Sequence, residues 1–187
     1  MSQPPFQKGR SMDRVCSCGG AHRFDRRHLF GMAGAATLLA LSPYPVQAAY
    51  GEYEAMVLAC IDPRMQEPVY EYLKKAGLTG KYSQFTIAGA AIGVVAPKFK
   101  SWHKAFWDNL AVSEELHRVK RVIVIDHRDC GAAKVAYGDA SIATPQAENE
   151  THRRALAEFR RELAHRHPKL KVDTGLMALD GSMMTFS

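Results

Sequence analysis

Arg121-Val-Ile-Val-Ile-Asp126-His127-Arg128-Asp129-Cys130-Gly131 contains the clearest strand signal in the chain. Val122 to Ile125 are branched at Cβ, which suits a pleated sheet and disfavours a helix. An unbroken apolar run of this length, without alternation, predicts a strand covered on both faces, as in a parallel sheet. A histidine and a cysteine three positions apart follow at once, and Gly131 opens a short helix to about Tyr137. Strand, reactive turn and helix in that order form the corner of an α/β sheet, at the carboxyl edge where ligands bind.

Towards the amino terminus, Ala55 to Ile61 (Ala-Met-Val-Leu-Ala-Cys-Ile) is a second apolar run of strand length. A helix follows, with Pro68 in its first turn and Gly77 just past its end. Gln84 to Ala88 reads as a shorter strand, and Gly89 and Gly93 bracket a loop. Ser101 to Val119 is predicted helical, with Trp102, Phe106, Asn109, Val112, Leu116 and Val119 as its recurring stripe. Beyond the polar loop at Gly138 and Asp139, a long charged helix is expected from Pro145 to Arg166, with Leu156, Phe159 and Leu163 facing inward. Leu170 to Leu179 and Ser182 to Phe186 would be final strands around the turn dipeptide Asp180-Gly181. The expected class is α/β, a central, mostly parallel sheet flanked by helices.

This layout brings three potential metal ligands to one edge. Cys60 stands at the carboxyl end of the first strand, and His127 and Cys130 just beyond that of the third. Two thiolates and an imidazole match a tetrahedral zinc site with one position open, the arrangement of a catalytic rather than a structural zinc. The helix opening at Gly131 favours Cys130 as thiolate. A Cys60–Cys130 disulfide is the main competing reading, and it leaves His127 without a role. Asp62 and Arg64 follow in Cys60-Ile-Asp62-Pro-Arg64, where the acid could be a zinc ligand, a proton acceptor or the partner of Arg64.

The pairing of Cys60-Ile-Asp62-Pro-Arg64 with His127-Arg-Asp-Cys130-Gly131 resembles the signature of the β-carbonic anhydrases. Ile87-Ala-Gly89 is similar to that family's Asn-Ala-Gly segment but lacks its Asn, and the likeness spans roughly residues 55–187. The resemblance implies zinc on Cys60, His127 and Cys130. It makes Asp62 and Arg64 a catalytic dyad controlling the fourth zinc position, with Arg64 turning Asp62 away from the metal. It further implies reversible hydration of carbon dioxide to bicarbonate, with zinc making hydroxide available from its water, and a homodimer or higher even oligomer. Asp126 departs from the Gly of many members, and the chain after Cys130 is short. Asp129 and His103 are candidate proton relays.

Other readings compete. Hydrolysis of carbonyl sulfide or carbon disulfide would use the same metal chemistry, and a non-catalytic zinc-binding protein would keep the ligands alone. A cysteine phosphatase needs an Arg six residues after Cys130, where Ala136 stands. Gly89-Ala-Ala-Ile-Gly93 lacks the first glycine of a nucleotide loop and reads as a turn. Trp102, Phe106 and Trp107 are expected in a core or dimer interface, His165 and His167 at a helix end, and Met183 and Met184 as core filler.

The net charge of +6 is concentrated at the start of the chain. Residues 1–48 carry six Lys and Arg against Asp13 and Asp25, a net +4 that leaves +2 for residues 49–187, so no nucleic-acid face is expected. Arg26-Arg27-His28-Leu29-Phe30, the apolar run to Leu41, Pro43, Pro45 and Val46-Gln47-Ala48 together read as a twin-arginine signal peptide over 1–48. A periplasmic or otherwise exported domain, 49–187, without stable membrane insertion after processing, is the expectation; an uncleaved anchor is the alternative. Cys16 and Cys18 would leave with the leader.

Overall fold

The computed structural model describes residues 51–186, so the expected leader lies outside the described residues. Strands β1 (Ala55–Ala59), β2 (Tyr82–Thr86), β3 (Arg121–His127), β4 (Lys171–Met177) and β5 (Met183–Thr185) form one sheet in the order β2-β1-β3-β4-β5. The first four run parallel, and β5 returns antiparallel to β4. The expected mostly parallel α/β class is thus what forms.

Side chains alternate across the sheet, so successive residues of each strand feed different layers. Met56, Leu58, Val122 and Val124 point to one face. There they meet α2 (Ala91–Val95), α3 (Lys100–His117) and α5 (Pro145–Arg166) through Val94, Phe106, Trp107, Leu110, Leu156, Phe159 and Leu163. Val57, Ala59, Ile123 and Ile125 point to the other face, covered by Val69 and Leu73 of α1 (Gln66–Lys75). The short helix α4 (Gly131–Tyr137) packs beside Ile92, Phe99 and Ala155.

The helix ends follow their local chemistry. Gly77 (φ +72) ends α1, with the Leu78 amide bonded to the Leu73 carbonyl and the Gly77 amide to that of Lys74. This left-handed exit needs a residue without Cβ and brings buried Leu78 onto Leu73. Helix α5 starts on Thr144, whose hydroxyl accepts from the Ala147 amide at 3.1 Å, with Pro145 in the first turn.

Several expectations shift. Strand β1 ends at Ala59, so Cys60 lies in the loop after it, while β3 includes His127 as its last residue. Strand β2 starts two residues earlier than the apolar signal, and β4 and β5 are shorter than their expected ranges. Gly93 belongs to the buried helix α2 rather than a loop, and glycine is needed there because a Cβ would meet the Ala88 carbonyl oxygen at 2.5 Å. The buried stripe of α3 is Phe106, Trp107, Leu110 and Ser113; Asn109 and Val112 face out. Phe106 and Trp107 are core and Trp102 stacks on Phe99 at the surface, which removes two of the three rings from any interface. Met183 packs against the core, but Met184 is exposed.

Candidate metal centre

Parallel pairing sets Ala59 opposite Ile125 on one side and Thr86 on the other, so all three strands end at one edge. Cys60 leaves β1 there, His127 closes β3, and Cys130 caps α4. Asp129 makes the turn between the latter two in the left-handed region (φ +56), which a short Asp side chain tolerates. The ligand atoms of Cys60, His127 and Cys130 lie within 4.8 Å of one another. Both cysteines are free thiols, so the disulfide reading is not what the chain adopts.

His127 is oriented for coordination. Its Nδ1 lies 2.8 Å from the Arg128 carbonyl and must donate to it, which makes Nε2 the lone-pair nitrogen. Nε2 is buried without a hydrogen-bond partner among the described residues. An orphaned buried acceptor costs about 1–3 kcal/mol, and a cation between His127 and the two sulfurs satisfies it. Two sulfurs and one imidazole nitrogen are a zinc donor set. Zinc therefore fits the residues present.

The thiols are tuned unequally. Hydrogen bonding from Cys130 holds Cys60 well below the usual thiol range against its partial burial, with the Gly89 amide, 3.2 Å from Cys60 Sγ, acting in the same direction. The same thiol-to-thiolate hydrogen bond, with burial, pushes Cys130 up, so the short helix at Gly131 does not make it the thiolate as expected. Burial pulls His127 down, but its contacts with Cys60 and the Arg128 carbonyl leave it raised.

Asp62 and Arg64 form a tight pair. Arg64 Nε and Nη2 donate to the two Asp62 oxygens at 3.0 and 2.7 Å, and the Arg64 amide adds a third bond at 2.9 Å. Arg64 holds Asp62 down to about 2, so the carboxylate stays ionised, and Asp62 in turn raises Arg64. Asp62 Oδ2 stands 4.0 Å from His127 Nε2, beside the ligands. A cleft of about 470 Å³ opens there, lined by Cys60, Ile61, Gln66, Gln84 and Thr86.

Sequence reasoning missed the supports behind these residues. Arg64 Nη1 also reaches Asp129 Oδ2 at 2.7 Å. Glu148 of α5 accepts from Arg128 at 2.9 Å and from the Asp129 amide, fixing the loop between two ligands. Asp126 is buried on β3 and bonds His152 of α5. The available signal was spacing: His152 precedes the inward Leu156 and Phe159 by four and seven positions. Of the relay candidates, Asp129 stands at the site, whereas His103 bonds the Ala96 carbonyl and lines a separate cleft. His167 pairs with Glu114 and stacks on Trp107, away from the ligands. A larger cleft of about 650 Å³ beside α5 is lined by none of the three ligands; its Arg153 and Arg161 pair with Glu150 and Glu158.

Comparison with known proteins points the same way. Residues 51–171 match the protein family described as "Putative carbonic anhydrase". An uncharacterised protein of Rickettsia bellii (strain RML369-C) is 32% identical over 130 residues, 70% of this chain and 79% of its own length. One from Rickettsia conorii is 31% identical over 130 residues, 70% of each. In three dimensions the chain is similar to a carbonic anhydrase from Streptococcus mutans (TM-score 0.51, 15% identity, 86% of this chain and 96% of that one). It is equally similar to the β-carbonic anhydrase CcaA (TM-score 0.51, 12% identity, 86% and 89%), a likeness of fold.

Proposed function

Because the chain belongs to the family described as "Putative carbonic anhydrase", we propose that it is a zinc enzyme catalysing the reversible hydration of carbon dioxide to bicarbonate. The observation that carries this reading is the buried, partnerless His127 Nε2 grouped with Cys60 and Cys130. Those three residues hold the zinc. When bound, zinc lowers the pKa of its water from 15.7 to about 7, which supplies hydroxide at neutral pH.

The chain's own residues do the rest. Asp62 stays ionised and accepts a hydrogen bond from the reacting water, orienting it in the cleft beside Ile61. Arg64 occupies both Asp62 oxygens and so keeps the carboxylate turned from the metal. The exposed Asp129 is a surface acceptor next to Arg64, suited to passing a proton to solvent.

The chain works, in this reading, as a dimer or higher even assembly exported after removal of residues 1–48. The edge strand β2 and Ile61, 58% exposed beside Cys60, support an assembly across this edge. No helix of the described residues is long and apolar enough to cross a membrane.

The test joins metal analysis to kinetics on one sample of the mature chain. About one zinc per chain and measurable carbon dioxide hydration are expected. Asp62→Ala should keep the zinc and lose hydration by about 100-fold or more, the range for a group managing a proton in the transition state. Unchanged hydration in that variant would leave a zinc-binding protein without a catalytic dyad. Activity confined to carbonyl sulfide or carbon disulfide would move the substrate and keep the metal assignment.

A further inference from the structure

The proposed roles leave Asp126 and His152 unused, although both are buried beside the metal centre, at 1% and 0% exposure. Asp126 Oδ2 accepts from His152 Nδ1 at 2.7 Å, and Asp126 Oδ1 accepts from the Ala91 amide at 2.9 Å. Burying a carboxylate is unfavourable unless its oxygens are satisfied, and these two contacts satisfy both.

The contact with Ala91 falls on a strained turn. Ala90 sits at φ 46, ψ −110, outside the regions open to a residue with a Cβ. Such a conformation persists only where the surroundings over-determine it. Here they do: the Ala90 amide bonds the Ile87 carbonyl at 3.1 Å, and the Ile92 amide bonds that of Gly89 at 2.9 Å. Gly89 (φ +84) is pressed so close that a Cβ there would meet Ala132 Cβ at 2.9 Å. The result of this turn is that the Gly89 amide points at Cys60 Sγ, 3.2 Å away.

Asp126 therefore sits between two ligands. It precedes His127 on β3 and grips the turn whose other amide donates to Cys60. An N–H bonded to a thiolate withdraws charge from the sulfur and weakens its donation to a metal, so the turn's position sets ligand strength.

We propose that Asp126, anchored by His152 of α5, is a positioning residue for the metal centre: it holds the Gly89–Ala91 turn against Cys60 and so sets that sulfur's orientation and donor strength. This rests on the assignment of Cys60, His127 and Cys130 as zinc ligands. Asn preserves the essential contact, because its carbonyl oxygen accepts from Ala91 while His152 can present the other tautomer to its amide. Ala preserves nothing.

The experiment compares parent, Asp126→Asn and Asp126→Ala, each as the mature chain. Zinc affinity is measured by chelator competition, and the thiolate-to-metal absorption band is recorded with cobalt(II) as probe. Asp126→Ala should bind zinc about 10- to 100-fold more weakly, the usual effect of losing a contact behind a metal ligand, with a displaced band. Asp126→Asn should stay close to the parent in both. A lower melting temperature in Asp126→Ala with unchanged affinity and band would show a purely structural pair and overturn the proposal. Should Asp126→Ala fail to fold, His152→Ala reads the same quantities, with a smaller loss in the same direction expected and no change again overturning the idea. A parent that binds no metal is a separate result, against the zinc assignment itself. Amide exchange at Gly89 and Ala91 then decides the remaining claim: faster exchange in Asp126→Ala supports it, and unchanged protection sinks it.

Discussion

Arg64 Nη1 lies 2.7 Å from Asp129 Oδ2, joining the loop after Cys60 to the loop between His127 and Cys130 across 65 residues of sequence. The same guanidinium holds Asp62, so one side chain ties together the two loops that carry the proposed metal ligands. Both partners of the outer contact are well exposed, at 44% and 66%, so salt screens it and its share of stability is small.

Arg64→Ala and Asp129→Ala should consequently differ. The first frees Asp62 to close on the metal and should abolish most hydration while zinc stays bound. The second leaves the bidentate Arg64–Asp62 pair intact and should lower activity only modestly, with little change in melting temperature. Stopped-flow hydration and metal content of the two variants check this. Equal losses in both would mean that the outer contact, and not the dyad, controls the fourth position.

Much of this arrangement was legible because it is carried by local pattern. Val122 to Ile125 specify a doubly covered strand on composition alone, and Thr144-Pro145 starts the long helix where the capping chemistry says it should. The three ligands could be gathered because parallel strands end at one edge. What was not legible depends on contacts distant in sequence or on close approach. Gly89 and Gly93 look like loop glycines until the backbone of Ala88 and the methyl of Ala132 press on them. The stripe of α3 slipped by one residue because Val112 is apolar yet 52% exposed, while the buried Ser113 hydroxyl bonds Ser83 of β2. Asp126 reads as a polar strand end, and its bonds to His152 and to the Ala91 amide explain its burial.

The reading of residues 1–48 as a twin-arginine leader is open to a direct check. Replacing Arg26 and Arg27 by Lys keeps charge and removes the guanidinium pair that the export receptor reads. An unprocessed precursor retained inside the cell is the expected outcome in fractionation with mass measurement. Normal processing and export of the double variant would count against the assignment.

Strand β2 is one edge of the sheet, with Gln84 and Thr86 exposed, and an unpaired edge is a template for a second chain. Ile61 presents apolar surface beside the same edge. Sedimentation at working concentration should give a dimer or a higher even species. A strictly monomeric and fully active protein would remove the reason for placing an interface near the cleft.

The ligand set itself makes the sharpest prediction. Cys60→Ser, His127→Ala and Cys130→Ser should each lose most of the zinc, because a tetrahedral site with three protein ligands keeps only two after any deletion. The loss should exceed the roughly 10- to 100-fold that follows changes behind the ligands, which separates these variants from those at Asp126. Cys60 and Cys130 share a hydrogen bond that holds a proton between them, so zinc uptake should release protons from the pair and weaken as pH falls. Metal analysis after gel filtration, with thiol titration of the same samples, reads both quantities. Full zinc in any one variant would demote that residue from the ligand set. Native protein with no zinc and no titratable thiols would instead reveal a Cys60–Cys130 disulfide in solution, and the metal assignment would fall with it.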